Sequence, residues 1–253
     1  MVLRNLVILG STGSIGMQAL DVIERQALRL RAPLHIAGEQ WNAHIEHGRL
    51  VYQDDGGLLD LPAPKLVGRH QFDNAAVAIA ALRAAGEALP NAAYETGLMR
   101  AEWPARMQLL SQGALAALVP AGSELWLDGG HNPDGARAIT AALGDLEERV
   151  ARPLVLVVGM LATKDSEGFL RHFAGLARRL IAVPIPRQDK SLPPAVVAEV
   201  ARAIDIPAET SDNIRSALAA AARLNLDPPP RILITGSLYL AGEVLALNGT
   251  PPV

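Results

Sequence analysis

The 253-residue sequence is half hydrophobic, poor in aromatics, carries a net charge of −3 and contains no cysteine. Its length suits one large domain or two modest ones, and the missing cysteines exclude disulfides, thiolate metal sites and cysteine nucleophiles. There is no Lys/Arg run, no apolar stretch of bilayer length and no secretory leader, so we expect no nucleic-acid partner, no membrane span and a cytoplasmic location.

In chain order, "RNLVILG" is β-branched and apolar and reads as a buried parallel strand. The turn "GSTGSIG" leads into the helix "SIGMQALDVIERQALRLR", where Ile15, Ala19, Val22, Ile23 and Ala27 share a face. "APLHIAG" is a second short strand. Gly48 and the cluster Asp54, Asp55, Gly56 and Gly57 then punctuate alternating segments, the pattern of an antiparallel meander. "HQFDNAAVAIAALRAAGEAL" reads as a helix, and "PNAAYETGLMRAEW" as a shorter one. From Pro104 the pattern changes. "ARMQLLSQGALAALV" suggests a hairpin, and strand–helix alternations follow to the C-terminus: "ELWLDGG", "PLVLVVGM", "LIAVPIP" and "RILITGS", each followed by helical sequence. This predicts an α/β protein whose second half is a doubly wound, mostly parallel sheet, with a boundary near residues 103–104. Ligands of such sheets bind at the carboxyl ends of the strands.

Several polar groups fall at such ends. In "LDGGHNPDGARA" the strand stops at Asp128, followed by two glycines, His131, Asn132 and a proline at a helix start. These groups suit ribose hydroxyls, a purine edge or a carboxylate, or they make a capping turn. "LVGRHQFDNAA" places His70, Gln71 and Asn74 at a helix start, Gln71 and Asn74 on one face. Arg106 in "EWPARMQ" is either a phosphate clamp or a solvated charge. Lys164 and Asp165 follow a strand in "GMLATKDSEGF". Ser237 in "ILITGSLYLAGEVL" opens the last helix, whose N-terminus suits a carboxylate.

Taken in order, "GRHQFDNA", "EWPARMQ", "LDGGHNP", "GMLATKD" and "ITGSLYLAGEVL" closely resemble the bifunctional folylpolyglutamate synthase/dihydrofolate synthases of the Mur ligase family, from about residue 22 to the C-terminus. Two positions depart from that pattern: Ala105 stands where glycine is usual, and Gly130 where alanine is usual. The resemblance implies a Rossmann-like C-terminal domain over 104–253. It implies part of a central ATPase-type domain over 1–103. It also implies ATP and Mg2+ as cofactors, with folate or pteroate and glutamate as substrates. On it, His70, Gln71, Asn74, Arg106, Asp128 and Asn132 would contact ATP, and His131 and Ser237 the glutamate. The family's phosphate loop is not found: the sequence has no Gly-Lys pair, and Lys65, Lys164 and Lys190 are its only lysines. Without that lysine and a magnesium site, phosphoryl transfer loses its main electrostatic stabilisation, so the chain alone is expected not to ligate. A central domain reduced in this way would expose sheet edge and apolar surface, and self-association is expected.

Residues 4–25, "LVILGSTGSIGMQALDVIER" at their heart, resemble instead the opening of 1-deoxy-D-xylulose 5-phosphate reductoisomerase, an NADPH enzyme. The two resemblances meet near residues 22–25, as in a chimera. An alternative function follows: an NAD(P)-binding module with Gly10, Gly13 and Gly16 at the helix N-terminus and Glu39 on a ribose hydroxyl. A non-catalytic fusion is the third possibility.

Overall fold

The computed structural model describes residues 6–7 and 14–251, with side-chain environments from residue 22 onward. The chain divides into two compact units, Met1–Glu102 and Trp103–Val253.

The first unit opens with a β–α–β arrangement. Strands β1 (Leu6–Val7) and β2 (Leu34–His35) pair in parallel, Leu6 opposite Leu34, joined through helix α1 (Ser14–Leu30). An antiparallel meander follows: β3 (Trp41–Glu46), β4 (Arg49–Asp54) and β5 (Gly57–Leu61). The β3–β4 turn is two residues long, and His47 and Gly48 both take positive φ, 48° and 76°. That geometry matches the right-handed twist of the flanking strands.

Strand alternation then sets the core of this unit. Leu50 and Tyr52 of β4, Leu59 and Leu61 of β5, and Trp41 of β3 are buried. They pack on Ala75, Ala76, Ile79 and Ala80 of α2 (His70–Ala84) and on Tyr94 of α3 (Asn91–Arg100). Trp41 and Tyr52, diagonal neighbours across the strands, stack with centroids 5.8 Å apart. One ion pair crosses from sheet to helix: Arg83 of α2 meets Asp54 of β4, and its guanidinium lies over the Tyr52 ring. The Tyr52 hydroxyl donates to Asp54 Oδ2 at 3.1 Å. Burial, and then the adjacent Asp54 carboxylate, push the Tyr52 phenol well above its ordinary range, so it stays a donor.

The second unit is built on a six-stranded sheet. Its strands are β6 (Gln108–Leu109), β7 (Glu124–Leu127), β8 (Leu154–Val158), β9 (Ala177–Ala182), β10 (Ala208–Thr210) and β11 (Arg231–Thr235). Their order is β10-β9-β8-β11-β7-β6, and every pairing is parallel except β6 with β7. The central runs "LVLVV" and "RILIT" are buried at every position, as expected of strands covered on both faces. On one face, Val155, Val157, Ile232 and Ile234 pack with Ala217 and Leu218 of α7 (Ile214–Arg223) and Val244 and Leu245 of α8 (Leu238–Asn248). Leu156 and Leu233 alternate to the other face. There α4 (Pro133–Arg149) contacts α5 (Ser166–Arg171), and α5 contacts α6 (Pro194–Ala203).

The structure departs from simple local pattern in three places, and the first corrects the expected hairpin. Residues 105–119 form no hairpin. Leu109 pairs instead with Trp126 of β7, and the chain then turns at Gly113 (φ 111°) into a 3₁₀ turn, Ala116–Leu118. Asn248, 2 % exposed at the end of α8, decides this. Its Oδ1 accepts the Leu115 and Ala116 N–H groups at 3.0 and 3.4 Å, and its Nδ2 donates to the Gln112 carbonyl at 2.9 Å. A Cβ at Gly113 would lie 2.4 Å from the Asn248 carbonyl. Second, α5 stops at Arg171, and β9 already begins at Ala177, because Gly175 (φ 77°) turns the chain. Third, β10 has only half-buried and exposed residues and so carries no apolar signature.

At the amino ends of the strands an ion network ties the sheet together. Arg231, 3 % exposed at the start of β11, donates from Nε to Glu124 Oε2 at 2.8 Å. It also reaches Glu147 Oε2 and the Val150 carbonyl, each at 3.3 Å. Glu124, at the start of β7, accepts from Trp126 Nε1 at 2.9 Å. Arg152 Nε stands 3.3 Å from Glu124 Oε1, near enough for charge attraction but misaligned for a hydrogen bond. Arg152 donates instead to the Gly122 and Pro229 carbonyls, at 2.6 and 2.9 Å. Burial raises the Glu124 pKa, but the Trp126 and Arg231 hydrogen bonds and the two arginine charges outweigh it, and the net pKa lies below the ordinary 4.5.

Candidate functional site

The opposite, carboxyl end of the sheet collects the polar groups of the second unit. The ends of β7, β11 and β8 are knitted there by main-chain bonds. Asp128 N–H donates to the Ile234 carbonyl at 3.0 Å, Gly236 N–H to the Gly130 carbonyl at 3.0 Å, and Gly159 N–H to the Thr235 carbonyl at 3.3 Å. Gly236 has to be glycine. Its φ is 107°, and a Cβ would stand 2.6 Å from the Gly159 carbonyl oxygen.

Asp128 is buried, 6 % exposed. Its Oδ1 accepts the Gly130 N–H at 2.7 Å, the local bond that shapes an Asp-Gly-Gly turn. Its Oδ2 accepts the Met107 N–H at 2.8 Å. The Gly129 N–H donates to the Ala105 carbonyl at 2.9 Å, and Gln108 Oε1 accepts the Ala105 N–H, also at 2.9 Å. Arg106 therefore sits between two anchored residues. Ala105 (φ 55°) and Met107 (φ 40°) both lie in the left-handed region that favours glycine. At Ala105, where the resembled pattern has glycine, the Cβ makes a left-handed residue less favourable. Arg106 itself is half-buried and makes no hydrogen bond or ion pair among the described residues.

His131 continues the same turn. Its Nδ1 lies 2.9 Å from the Gly129 carbonyl, which can only accept, so Nδ1 carries the hydrogen and Nε2 is the nitrogen available to a ligand. Asn132 is exposed and caps α4, its Oδ1 accepting the Gly135 N–H at 2.7 Å. Asp165 caps α5 in the same way, and Lys164 beside it is exposed. Ser237, 3 % exposed, caps α8 by accepting the Tyr239 N–H at 3.1 Å. The Gly236–Gly130 bond sets Ser237 and His131 on directly adjoining segments. A Cβ at Gly130 would meet Ile139 Cδ1 at 2.5 Å and Asp128 Oδ1 at 3.0 Å, so glycine here leaves room for the α4 side chain.

The first unit carries a separate polar cluster. Gln71, 5 % exposed near the start of α2, donates from Nε2 to His70 Nε2 at 2.9 Å. Asn74 Nδ2 donates to Gln71 Oε1 at 3.0 Å. Of the glycines in the dinucleotide reading, Gly10 and Gly13 lie outside the described residues, and Gly16 falls within α1. Glu39 is exposed in a turn four residues beyond the end of β2, its carboxylate 3.4 Å from Gln40 Nε2. Among the described residues, no three His, Asp or Glu side chains stand together as metal ligands, and no helix is long and apolar enough to cross a membrane.

Sequence reasoning did not find the strap between Asp128 and Met107. The Asp-Gly-Gly triplet announces the bond to Gly130, which is local. Nothing in the sequence announces a partner 21 residues upstream.

A doubly wound domain with these groups at its carboxyl edge matches one known family over residues 105–238, described as Mur ligase, glutamate ligase domain. The chain belongs to the Mur ligase family. Residues 6–48 match the 1-deoxy-D-xylulose 5-phosphate reductoisomerase family, a longer stretch than residues 4–25. Folylpolyglutamate synthase of Lacticaseibacillus casei is 32 % identical over 201 residues, covering 78 % of this chain and 42 % of that protein. Dihydrofolate synthase/folylpolyglutamate synthase of Escherichia coli K12 is 32 % identical over 140 residues, 55 % of this chain and 30 % of that one. Among solved structures, the folylpolyglutamate synthase of Mycobacterium tuberculosis complexed with ADP and AMPPCP superposes with a TM-score of 0.74 at 25 % identity. That match covers 93 % of this chain and 54 % of the other. The chain thus spans about half the length, or less, of the relatives it matches.

Proposed function

We propose that the second unit is the glutamate-ligase domain of a folylpolyglutamate/dihydrofolate synthase-type ligase, an ATP-dependent enzyme that joins glutamate to a folate or pteroate carboxylate. The observation that carries this reading is the turn at the end of β7. It holds Arg106, Asp128 and His131 together at the sheet's carboxyl edge. The family membership and the nucleotide complexes of the solved relative support it.

In that reaction the substrate carboxylate takes a phosphoryl group from ATP, giving an acyl phosphate and ADP. The glutamate amine then attacks the acyl carbon, phosphate leaves with the C–O electron pair, and the amine gives up a proton. On this reading the Arg106 guanidinium faces the nucleotide phosphates, the charge most suited to an arginine that makes no hydrogen bond or ion pair among the described residues. Asp128 lies by the ribose and Asn132 beside it. His131 presents Nε2, and Ser237 the start of α8, toward the incoming glutamate, where helix N–H groups favour a carboxylate. Among the described residues, no group of three or more His, Asp or Glu side chains stands ready to hold Mg2+. The 253 residues contain no Gly-Lys pair, so these residues by themselves are proposed to bind nucleotide without completing ligation.

Isothermal titration of the purified chain with ATP and with NADPH tests this. ATP is expected to bind, and Arg106→Ala to abolish the binding, with no heat from NADPH. Binding of NADPH and not ATP would overturn the reading in favour of a dinucleotide module. ATP- and glutamate-dependent product from the chain alone would overturn its second half.

A further inference from the structure

We propose that Asn248 is a one-way modification site: the fold keeps its side-chain amide intact, the amide is lost once the end of α8 lifts, and the product cannot be refastened. Asn248 and Gly249 form the sequence's single Asn-Gly pair. Glycine has no side chain to hinder its nitrogen, which can therefore attack Asn248 Cγ. In that step the Gly249 nitrogen bonds to Cγ and gives up its proton. The Cγ–Nδ2 bond breaks, and ammonia leaves with the bonding electron pair and that proton. Water then opens the cyclic imide, at Cγ to give aspartate or at the main-chain carbonyl to give isoaspartate.

In the folded chain neither reactant is free. Asn248 is 2 % exposed and is the last residue of α8. A helical side chain leans toward the amino end of its helix, away from the peptide that follows it. Gly249, at φ 78°, closes the helix. Its N–H donates to the Ala246 carbonyl at 3.2 Å, and the Thr250 N–H donates to the Leu245 carbonyl at 3.0 Å. The side-chain amide is held as firmly: besides its bonds to Leu115, Ala116 and Gln112, its Nδ2 donates to Thr250 Oγ1 at 3.1 Å. The two N–H groups on Oδ1 would favour an oxyanion. The protection is therefore one of position, and attack requires Asn248 to leave the helix and Gly249 to leave its cap. Once the reaction has run, the contact does not reform. A carboxylate sets an oxygen against the Gln112 carbonyl, where Nδ2 donated, and buries a charge. Gly113 leaves no slack for the longer isoaspartyl backbone, since even a Cβ there would stand 2.4 Å from the Asn248 carbonyl oxygen. A brief opening of the helix end thus becomes a lasting release of residues 112–116.

Peptide mapping by mass spectrometry tests this on the full chain, incubated in mildly alkaline buffer with and without urea. In urea, Asn248 is expected to gain the mass of NH2 replaced by OH. In the native chain that gain is expected to be at least about a hundredfold slower, a ratio set by the rare opening of the helix end. A native rate close to the rate in urea would overturn the protection. Gly249→Ala, whose Cβ meets nothing within 4 Å, should slow the reaction in urea, and an unchanged rate would sink the proposed chemistry. Asn248→Asp stands for the product. It is expected to lower the urea midpoint of the second unit and to speed amide exchange at Leu115 and Ala116. A variant as stable as wild type would refute the one-way step. If that variant does not fold, refolding of the wild-type chain decides the same point. Chains diluted from urea at once are expected to refold, and chains held there until deamidated are not; full refolding of the deamidated chains would refute the step.

Discussion

Replacing Glu124 with glutamine removes the charge that joins two arginines at the amino end of the sheet while keeping the shape of the side chain. Arg231 is 3 % exposed, and its Nε loses a charged acceptor at 2.8 Å. It keeps Glu147 and the Val150 carbonyl, each at 3.3 Å, so the guanidinium is not wholly abandoned. Breaking a buried ion pair by removing one partner costs about 3–5 kcal/mol, and the surviving contacts place this case near 3 kcal/mol. For a unit of this size that is a fall in melting temperature of roughly 6–12 °C. The effect depends on pH with a definite sign. The folded-state pKa of Glu124 lies below its ordinary 4.5, so its stabilisation is fully present above about that pH and is lost as pH falls through the lowered value. Urea unfolding followed by circular dichroism at pH 7 and at successively lower pH reads both effects. The gap between wild type and Glu124→Gln should be widest at neutral pH and close with acid, since a protonated glutamate resembles glutamine. A variant within about 0.5 kcal/mol of wild type at pH 7, the range of an ordinary surface change, would refute the reasoning. So would a gap that persists unchanged in acid.

Two glycines should respond in opposite directions. Gly236→Ala places a Cβ 2.6 Å from a main-chain oxygen at a φ of 107°, and is expected to destabilise by about 3 kcal/mol and weaken ATP binding, as thermal unfolding and titration would show. Gly144→Ala, inside α4 with open space around it, should stabilise by about 0.5–1 kcal/mol in the same melts. In the first unit, Arg83→Ala leaves Asp54 largely buried without its cation and uncovers the Tyr52 ring. A loss of about 2–3 kcal/mol is expected in urea unfolding of that unit, and Asp54→Asn in the Arg83→Ala background should cost little more.

Much of the architecture was legible because it repeats local rules. The meander between β3 and β5 follows from alternation and two tight turns, and the parallel strands follow from uninterrupted apolar runs bounded by glycine. The misreadings share one cause. Residues 105–119 look like a hairpin because alternating apolar residues flank a glycine, yet their partners lie elsewhere in the chain: Trp126 of β7 for Leu109, and the side chain of Asn248 for the Leu115 and Ala116 amides. The three residues of β10, none of them buried, join the sheet only because β9 offers an edge.

The candidate site divides in the same way. Asn132 and Ser237 are helix caps within reach of their own sequence neighbours, as the sequence reading allowed. The adjacency of His131 and Ser237 depends on β7 and β11 lying side by side, a pairing between residues more than a hundred apart. The sequence by itself determined which residue types stand at strand ends, where the helices begin, and which family the chain resembles, because these follow from short-range pattern and motif. Only the tertiary structure decided that Asp128 turns both oxygens inward to the backbone around Arg106. A buried carboxylate is satisfied by whichever N–H groups the folded chain brings to it, and that choice is made across the sheet rather than along the chain.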